Sequence, residues 1–236
     1  MVLPHGGSRD FGEAFDYVTQ FLASRGYAVL RPQYRGSSGF GPSLEKAGKG
    51  EWGGKIQTDI ADGVAALAAS GAIDPARVCI VGRSTFGGFA ALYGAVFQGD
   101  TFKCAVSVGG TPDLGMLVGD HASRYGDSSK SFRAFRDEIL ASVPDRLDAV
   151  SPFRHAGKAQ APVMLVHAEK DATVPIAFAR KMADALAKAG KPVELMVLPD
   201  EGHGLAKSAS RVQMLDALDR FLAKHLKMTQ AQARVD

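Results

Sequence analysis

The sequence feature that most constrains the fold is a series of six short apolar runs separated by longer segments with helical spacing. The runs are Met1 to Pro4, Tyr27 to Arg31, Val78 to Val81, Cys104 to Val108, Val163 to His167 and Val193 to Leu198. In segments between them, such as Ile56 to Leu67, apolar residues recur every three or four positions, the period of one helix face. Strands that alternate with helices in this way predict an α/β fold with a mostly parallel sheet and helices on both faces.

Two segments interrupt this alternation. Gly36 to Gly54 is rich in Gly, Pro and Ser and predicts a long loop, and Gly109 to Gln160 holds one helical pattern around Phe132 to Ala141 among turn-forming residues. Excursions of this length in a compact domain usually carry function. We therefore expect residues 1–236 to form a single domain in which a lid-like excursion, at about 109–160, crosses the sheet.

Charge and composition exclude several classes of partner. The chain of 236 residues has 28 Lys and Arg against 25 Asp and Glu, and a net charge of +3 does not favour nucleic acid or an anionic membrane. No stretch reaches the roughly 18 uninterrupted apolar residues of a spanning helix. Met1 to Gly12 lacks the pattern of a signal peptide. We therefore expect a cytoplasmic protein without a membrane or nucleic-acid partner.

The cysteines and histidines predict neither a disulfide nor a metal site. Cys79 and Cys104 lie inside separate apolar runs and form no CxxC pair, which predicts buried free thiols and agrees with a cytoplasmic location. The histidines outside the segments discussed below have no metal-ligand spacing; they are His121, His155, His167 and His225. We therefore predict no metal and no cofactor.

The segment Val78 to Ala90 is a buried strand that turns sharply into a helix of small residues, the setting of a nucleophile elbow. Such an elbow follows the pattern G-x-S-x-G, because small residues on both sides of the nucleophile let strand and helix approach. With Ser84 as nucleophile, Gly82 fits but Phe86 occupies the second small position, where a clash is expected. With Thr85 as nucleophile, Gly87 fits and Arg83 does not. The segment is one residue longer than the pattern, and both hydroxyls stay open.

Groups that could activate a hydroxyl follow the next strands. Asp171 comes after the fifth apolar run and His203 lies between two glycines after the sixth. A serine needs a base, and the base needs a carboxylate that fixes its tautomer. His5-Gly6-Gly7, after the first run, can bring a backbone N–H to a developing oxyanion. The order Ser, Asp, His, each at a strand end, is that of the α/β-hydrolase triad.

These segments resemble the catalytic domain of the prolyl oligopeptidase family of serine peptidases, which includes acylaminoacyl and dipeptidyl peptidases. Besides the elbow and the Asp171 and His203 loops, the resemblance is carried by His5 to Gly7, Phe21 to Val29, Tyr34 to Gly39 and Trp52 to Lys55. It implies an α/β-hydrolase fold in which Asp171 is the acid, His203 the base and Gly7 an oxyanion donor. The resemblance also implies that the second oxyanion donor is the backbone N–H of the residue after the nucleophile, which is Thr85 if Ser84 attacks.

The chain departs from the family at the elbow and at its beginning. The family reads G-x-S-Y-G-G-Y/F; here the left half aligns on Ser84 and the right half on Thr85. Family members also carry an N-terminal β-propeller and two strands before the HGG strand. We therefore expect a missing propeller or a truncated stand-alone form, and an uncovered edge at Met1 to Pro4 through which two copies could pair.

The preferred interpretation is a serine hydrolase that cleaves oligopeptide or acyl-aminoacyl bonds through an acyl-enzyme, with Ser84 as nucleophile. Ser84 is favoured because the strand runs into it without a gap and a primary hydroxyl is less hindered than that of Thr85. Two alternatives stay open: a carboxylesterase for small acyl esters, and a non-catalytic binding domain whose elbow is disrupted.

Overall fold

The sheet at the centre of the molecule has four parallel strands. In the computed structural model, which describes residues 1–7, 15–140 and 146–226, these are β1 (Cys79–Arg83), β2 (Cys104–Val108), β3 (Val163–Ala168) and β4 (Val193–Leu198). Their spatial order follows the chain, β1-β2-β3-β4. A helical segment separates each strand from the next, so all carboxyl ends meet at one edge of the sheet. The parallel α/β prediction is confirmed.

The first two apolar runs join this sheet without forming strands. Val2 makes isolated parallel bridges to Leu30 and to Ile80, so the sheet has four strands and not the predicted six. Each of the two runs is closed by a proline, Pro4 and Pro32. Because proline has no backbone N–H, neither ladder can extend past these residues.

The segment Met1 to Pro4 is not an edge of the sheet, contrary to the prediction. Val2 N–H donates to the Cys79 carbonyl at 2.9 Å on one side, and Leu3 N–H donates to the Leu30 carbonyl at 2.8 Å on the other. All four residues are buried. The self-association predicted through this segment therefore lacks the open strand on which it depended.

Helices cover both faces of the sheet. The described helices are α1 (Tyr17–Ser24), α2 (Pro42–Ala47), α3 (Lys55–Ala69), α4 (Ser84–Phe97), α5 (Leu114–Tyr125), α6 (Lys130–Leu140), α7 (Leu147–Val150), α8 (Ile176–Lys188) and α9 (Ser208–Leu226), with 3₁₀ turns at Pro75–Arg77 and Pro152–Lys158. Buried residues of α3, α4 and α8 pack with Ile80 on one face, and those of α1 and α9 pack with Val81 on the other. None of the helices described is long and apolar enough to cross a bilayer.

The two irregular segments contain more helix than predicted. Between β2 and β3 the chain forms α5, α6, α7 and the turn at Pro152–Lys158. The predicted helix around Phe132 to Ala141 corresponds to α6, and Ala141 lies outside the described residues. The predicted loop from Gly36 to Gly54 contains α2. We call residues 109–160 the excursion below.

The two cysteines form a disulfide, so the prediction of free thiols is wrong. Cys79 in β1 and Cys104 in β2 are register partners, and both side chains lie in the same face of the core. Their Cα atoms are 4.7 Å apart, within the range that a disulfide spans. The argument for a cytoplasmic location from free thiols therefore loses its support.

Candidate active site

Ser84 stands at a strained turn between the end of β1 and the start of α4. Its φ of 62° is one of three positive values among the described non-glycine residues; strain of this kind concentrates at functional sites. A Cβ on Gly82 would lie 1.7 Å from the Gly87 carbonyl oxygen. The strand and the helix therefore approach so closely that only glycine fits at Gly82, as an elbow requires.

Phe86 does not produce the clash that the sequence pattern predicted. The glycine opposite Gly82 is Gly87, three residues after Ser84, so the side chain two residues after Ser84 points away from the contact. Phe86 is fully buried. Its ring packs edge-on against Trp52, with ring centroids 4.7 Å apart, and at a tilt against Tyr34, with ring centroids 5.2 Å apart. The extra residue in the elbow is therefore accommodated as part of the core.

A continuous chain of hydrogen bonds joins Ser84, His203 and Asp171. Ser84 Oγ lies 2.7 Å from His203 Nε2, and His203 Nδ1 lies 2.7 Å from Asp171 Oδ2. With Nδ1–H donating to the carboxylate, Nε2 is free to accept the serine proton. Ser84, and not Thr85, is the hydroxyl bonded to His203.

Asp171 is held as a carboxylate by its surroundings. Its side chain is almost fully buried, which alone would raise its pKa, but hydrogen bonds from His167, His203 and Val174 N–H hold the pKa well below its usual range. The backbone N–H groups of Thr173 and Val174 both donate to Oδ1 at 2.8 Å. The charge that would stabilise an imidazolium at His203 is therefore fixed in position.

Hydrogen bonds to the buried Glu201 hold the loop that carries His203. The two carboxylate oxygens of Glu201 accept from the N–H groups of Ala206 at 3.0 Å and Lys207 at 2.9 Å. Its backbone carbonyl accepts from Lys170 N–H at 2.9 Å, which joins the His203 loop to the Asp171 loop. The base is therefore placed by its own loop and by that of the acid.

The His5-Gly6-Gly7 turn packs directly on the elbow. A Cβ on Gly6 would lie 2.7 Å from Ser84 Cβ, and Phe86 N–H donates to the Gly6 carbonyl at 2.9 Å. The turn is shaped by His5, whose Nδ1–H donates to the Gly7 carbonyl at 2.6 Å and whose ring stacks on Tyr34 at 4.2 Å. The backbone of the turn therefore lies beside the Ser84 hydroxyl.

Sequence reasoning missed two residues of this site. Gly109, at the end of β2, has a φ of +63°, and a Cβ there would lie 3.2 Å from His203 Cε1. His167, near the end of β3, is buried with Nε2 3.3 Å from Asp171 Oδ2. Both lie at the edge of the sheet where the parallel strands end, but no spacing in the sequence singles them out.

No metal cluster is found in the part of the chain that the structure describes: no three His, Cys, Asp or Glu side chains converge as metal ligands would. The prediction that the protein uses neither metal nor cofactor stays a prediction.

Comparisons with known proteins agree over most of the chain. The sequence model of the prolyl oligopeptidase family matches residues 13–229. A Caenorhabditis elegans protein named dipeptidyl peptidase family member 6 is 32% identical, over 96% of this chain and 31% of its own length. Dipeptidyl aminopeptidase BIII of Pseudoxanthomonas mexicana is also 32% identical, over 96% of this chain and 33% of its own.

Solved structures give the same result. A puromycin-hydrolyzing peptidase of Mycobacterium tuberculosis superposes with a TM-score of 0.85 at 29% identity, over 97% of this chain and 34% of that one. The chain thus spans about a third of the length of the relatives it matches.

Proposed function

Because the chain belongs to the prolyl oligopeptidase family, we propose that it is a serine hydrolase that cleaves peptide bonds through an acyl-enzyme intermediate. The observation that carries the proposal is the unbroken hydrogen-bond chain from Ser84 through His203 to Asp171. Two similar proteins are named as a dipeptidyl peptidase family member and a dipeptidyl aminopeptidase, which supports oligopeptide substrates; cleavage of acyl-aminoacyl bonds stays a prediction.

In the proposed reaction, Ser84 Oγ attacks the carbonyl carbon of the scissile bond while His203 Nε2 takes up the hydroxyl proton. Nε2 then gives this proton to the leaving amine as the C–N bond breaks, which leaves Ser84 acylated. A water molecule attacks the acyl carbonyl and passes a proton to Nε2. The Ser84 ester bond breaks, the acid departs, and the proton returns to Oγ. Asp171 stays ionised throughout and stabilises the imidazolium.

The oxyanion formed at each attack needs two donors, and we assign them to the backbone N–H groups of Gly7 and Thr85. Gly7 belongs to the turn packed on Ser84, and Thr85 N–H follows the nucleophile at the first turn of α4. Fixed backbone donors stabilise a developing oxyanion because they need no reorganisation during the reaction.

We further propose that the excursion acts as a lid on one catalytic domain. Arg124 of α5 donates to the Ala172 carbonyl, beside Asp171, and Thr111 N–H contacts the Thr85 carbonyl at 3.4 Å. The excursion therefore contacts both the loop that carries the proposed acid and the elbow that carries the proposed nucleophile. A cytoplasmic location and a separate propeller partner stay predictions.

The same three residues would also cleave small acyl esters, so a carboxylesterase activity stays the second candidate. The non-catalytic alternative rested on an elbow disrupted by Phe86. The burial of Phe86 and the bond between Ser84 and His203 weigh against it.

The test compares Ser84→Ala with Thr85→Ala, two variants that each remove one hydroxyl from the elbow. We expect Ser84→Ala to abolish hydrolysis of an aminoacyl-anilide and labelling by a fluorophosphonate probe, while Thr85→Ala keeps most of both. An active Ser84→Ala variant would refute the assignment of the nucleophile. Turnover of the anilide against that of a p-nitrophenyl ester separates peptidase from esterase.

A further inference from the structure

His167 is a buried titratable residue for which the proposed reaction has no use. It lies in β3, four residues before Asp171, and its side chain is 1% exposed. Its Nε2 is 2.9 Å from the Val174 carbonyl oxygen and 3.3 Å from Asp171 Oδ2. A buried polar ring needs hydrogen-bond partners, and both of these belong to the loop that carries Asp171.

The contacts determine which nitrogen carries the proton. The Val174 carbonyl can only accept, so Nε2 of His167 must be the protonated nitrogen. The same N–H lies within reach of the Asp171 carboxylate, which also only accepts. One N–H is therefore shared between the backbone of the loop and the oxygen that bonds His203.

Asp171 thus has two donors on each oxygen. Thr173 and Val174 N–H groups hold Oδ1, and His203 and His167 share Oδ2. The backbone pair fixes one oxygen, but the carboxylate plane and the direction of Oδ2 depend on the two imidazoles. His203 gains and loses a proton at Nε2 during the proposed reaction, whereas His167 is enclosed by the core and has no part in proton transfer.

We propose that His167 is a positioning residue, whose Nε2–H orients the Asp171 carboxylate toward His203 and competes with His203 for the charge on Oδ2. The proposal rests on the proposed function, because it assumes that Asp171 serves His203. The proposed role of His167 requires no contact with the Ser84 hydroxyl or with substrate, because His167 acts through Asp171.

The variants are His167→Leu, which removes the donor at similar volume, and His167→Gln, whose amide nitrogen can reach the position of Nε2. For His167→Leu we expect kcat to fall about 10- to 100-fold, the effect of losing one hydrogen bond to a charged group, with KM little changed. With Oδ2 left to His203 alone, the imidazolium is better stabilised, so the acidic limb of the pH profile moves to higher pH. His167→Gln restores kcat and the limb in part.

Besides Asp171, four charged side chains lie on the loops beside His203 or reach them. They are Glu201, Lys170, Asp200 and Arg124, and the two substitutions remove none of their hydrogen bonds. Val163→Ala, at the opposite end of β3 and fully buried, is the matched control. It loosens the same strand, and we expect its limb to stay in place.

Two NMR measurements test the proposal without relying on activity or on the correct folding of His167→Leu. In the wild-type protein, ¹⁵N spectra should show His167 as the Nε2–H tautomer. The far-downfield proton of His203 Nδ1, bonded to Asp171, should shift in His167→Gln and also be observable in Ser84→Ala. An Nδ1–H tautomer at His167, or His167 variants that lose activity without moving the limb or this resonance, would overturn the proposal. Activity that survives in Ser84→Ala would instead refute the proposed function.

Discussion

We predict that the disulfide between Cys79 and Cys104 makes a large contribution to the free energy of unfolding. The two residues are 25 apart in sequence, and closing a loop of this length removes chain entropy from the unfolded state worth ~3.5 kcal/mol at 25 °C. A domain of this kind has a total stability of about 5–15 kcal/mol. Reduction should therefore remove between roughly a quarter and roughly two thirds of the free energy of unfolding.

The assay is urea unfolding of the wild-type protein, oxidised and reduced, followed by circular dichroism. We expect a lower midpoint after reduction and a steeper dependence on urea, because an unfolded chain without the cross-link exposes more surface. The double variant Cys79→Ala/Cys104→Ala is the control, and its midpoint should not respond to reductant. Well below the unfolding transition, kcat should be unchanged, since neither sulfur contacts Ser84 or His203.

The result that would refute this reasoning is equal midpoints with and without reductant, together with alkylation of both cysteines in the unreduced, unfolded protein. Buried free thiols would then be correct, as the sequence alone predicted.

Two further predictions concern the surroundings of His203. Gly109→Ala should lower kcat by roughly 100-fold without unfolding the protein, because the added methyl group would lie 3.2 Å from the His203 imidazole. The control is Gly119→Ala, whose Cβ would meet open space and whose kcat should match that of the wild type. Wild-type turnover by Gly109→Ala would contradict this geometry. Activity measured as kcat/KM should fall on acidification, because a protonated imidazole can no longer accept the Ser84 proton. Asp171 stays ionised over that range because its pKa is held far below the usual value, and a rate that held constant until the protein unfolded would exclude His203 as the base.

The sequence predicted the strands that pair in continuous ladders. The runs Cys104 to Val108 and Val193 to Leu198 match β2 and β4 at both ends. The alternation of apolar runs with helical segments is enough to locate strands that pair regularly with a neighbour. The runs before Pro4 and Pro32 are also apolar, but they reach the sheet through isolated bridges. The prolines, which have no backbone N–H for a ladder, account for the difference.

Features that depend on register were beyond the sequence. The disulfide requires Cys79 and Cys104 to face one another across β1 and β2, and the contact of His167 with Asp171 requires the loop after β3 to fold back on its own strand. Ser84, Asp171 and His203 were predictable because a sharp turn, an acid and a glycine-flanked histidine follow successive strands. The effect of the extra elbow residue could not be predicted, because it depends on which glycine faces Gly82 in the folded chain.

The single tryptophan of the chain is placed as an intrinsic optical probe of the elbow. Trp52 is 7% exposed, and its indole meets the edge of Phe86, two residues after Ser84. It also lines a small cavity with Leu114 and Val150, both in the excursion. Because no second indole contributes, its fluorescence wavelength and quenching report on this one junction. The proposed acylation of Ser84, or a shift of the excursion, should therefore change this fluorescence without any added label.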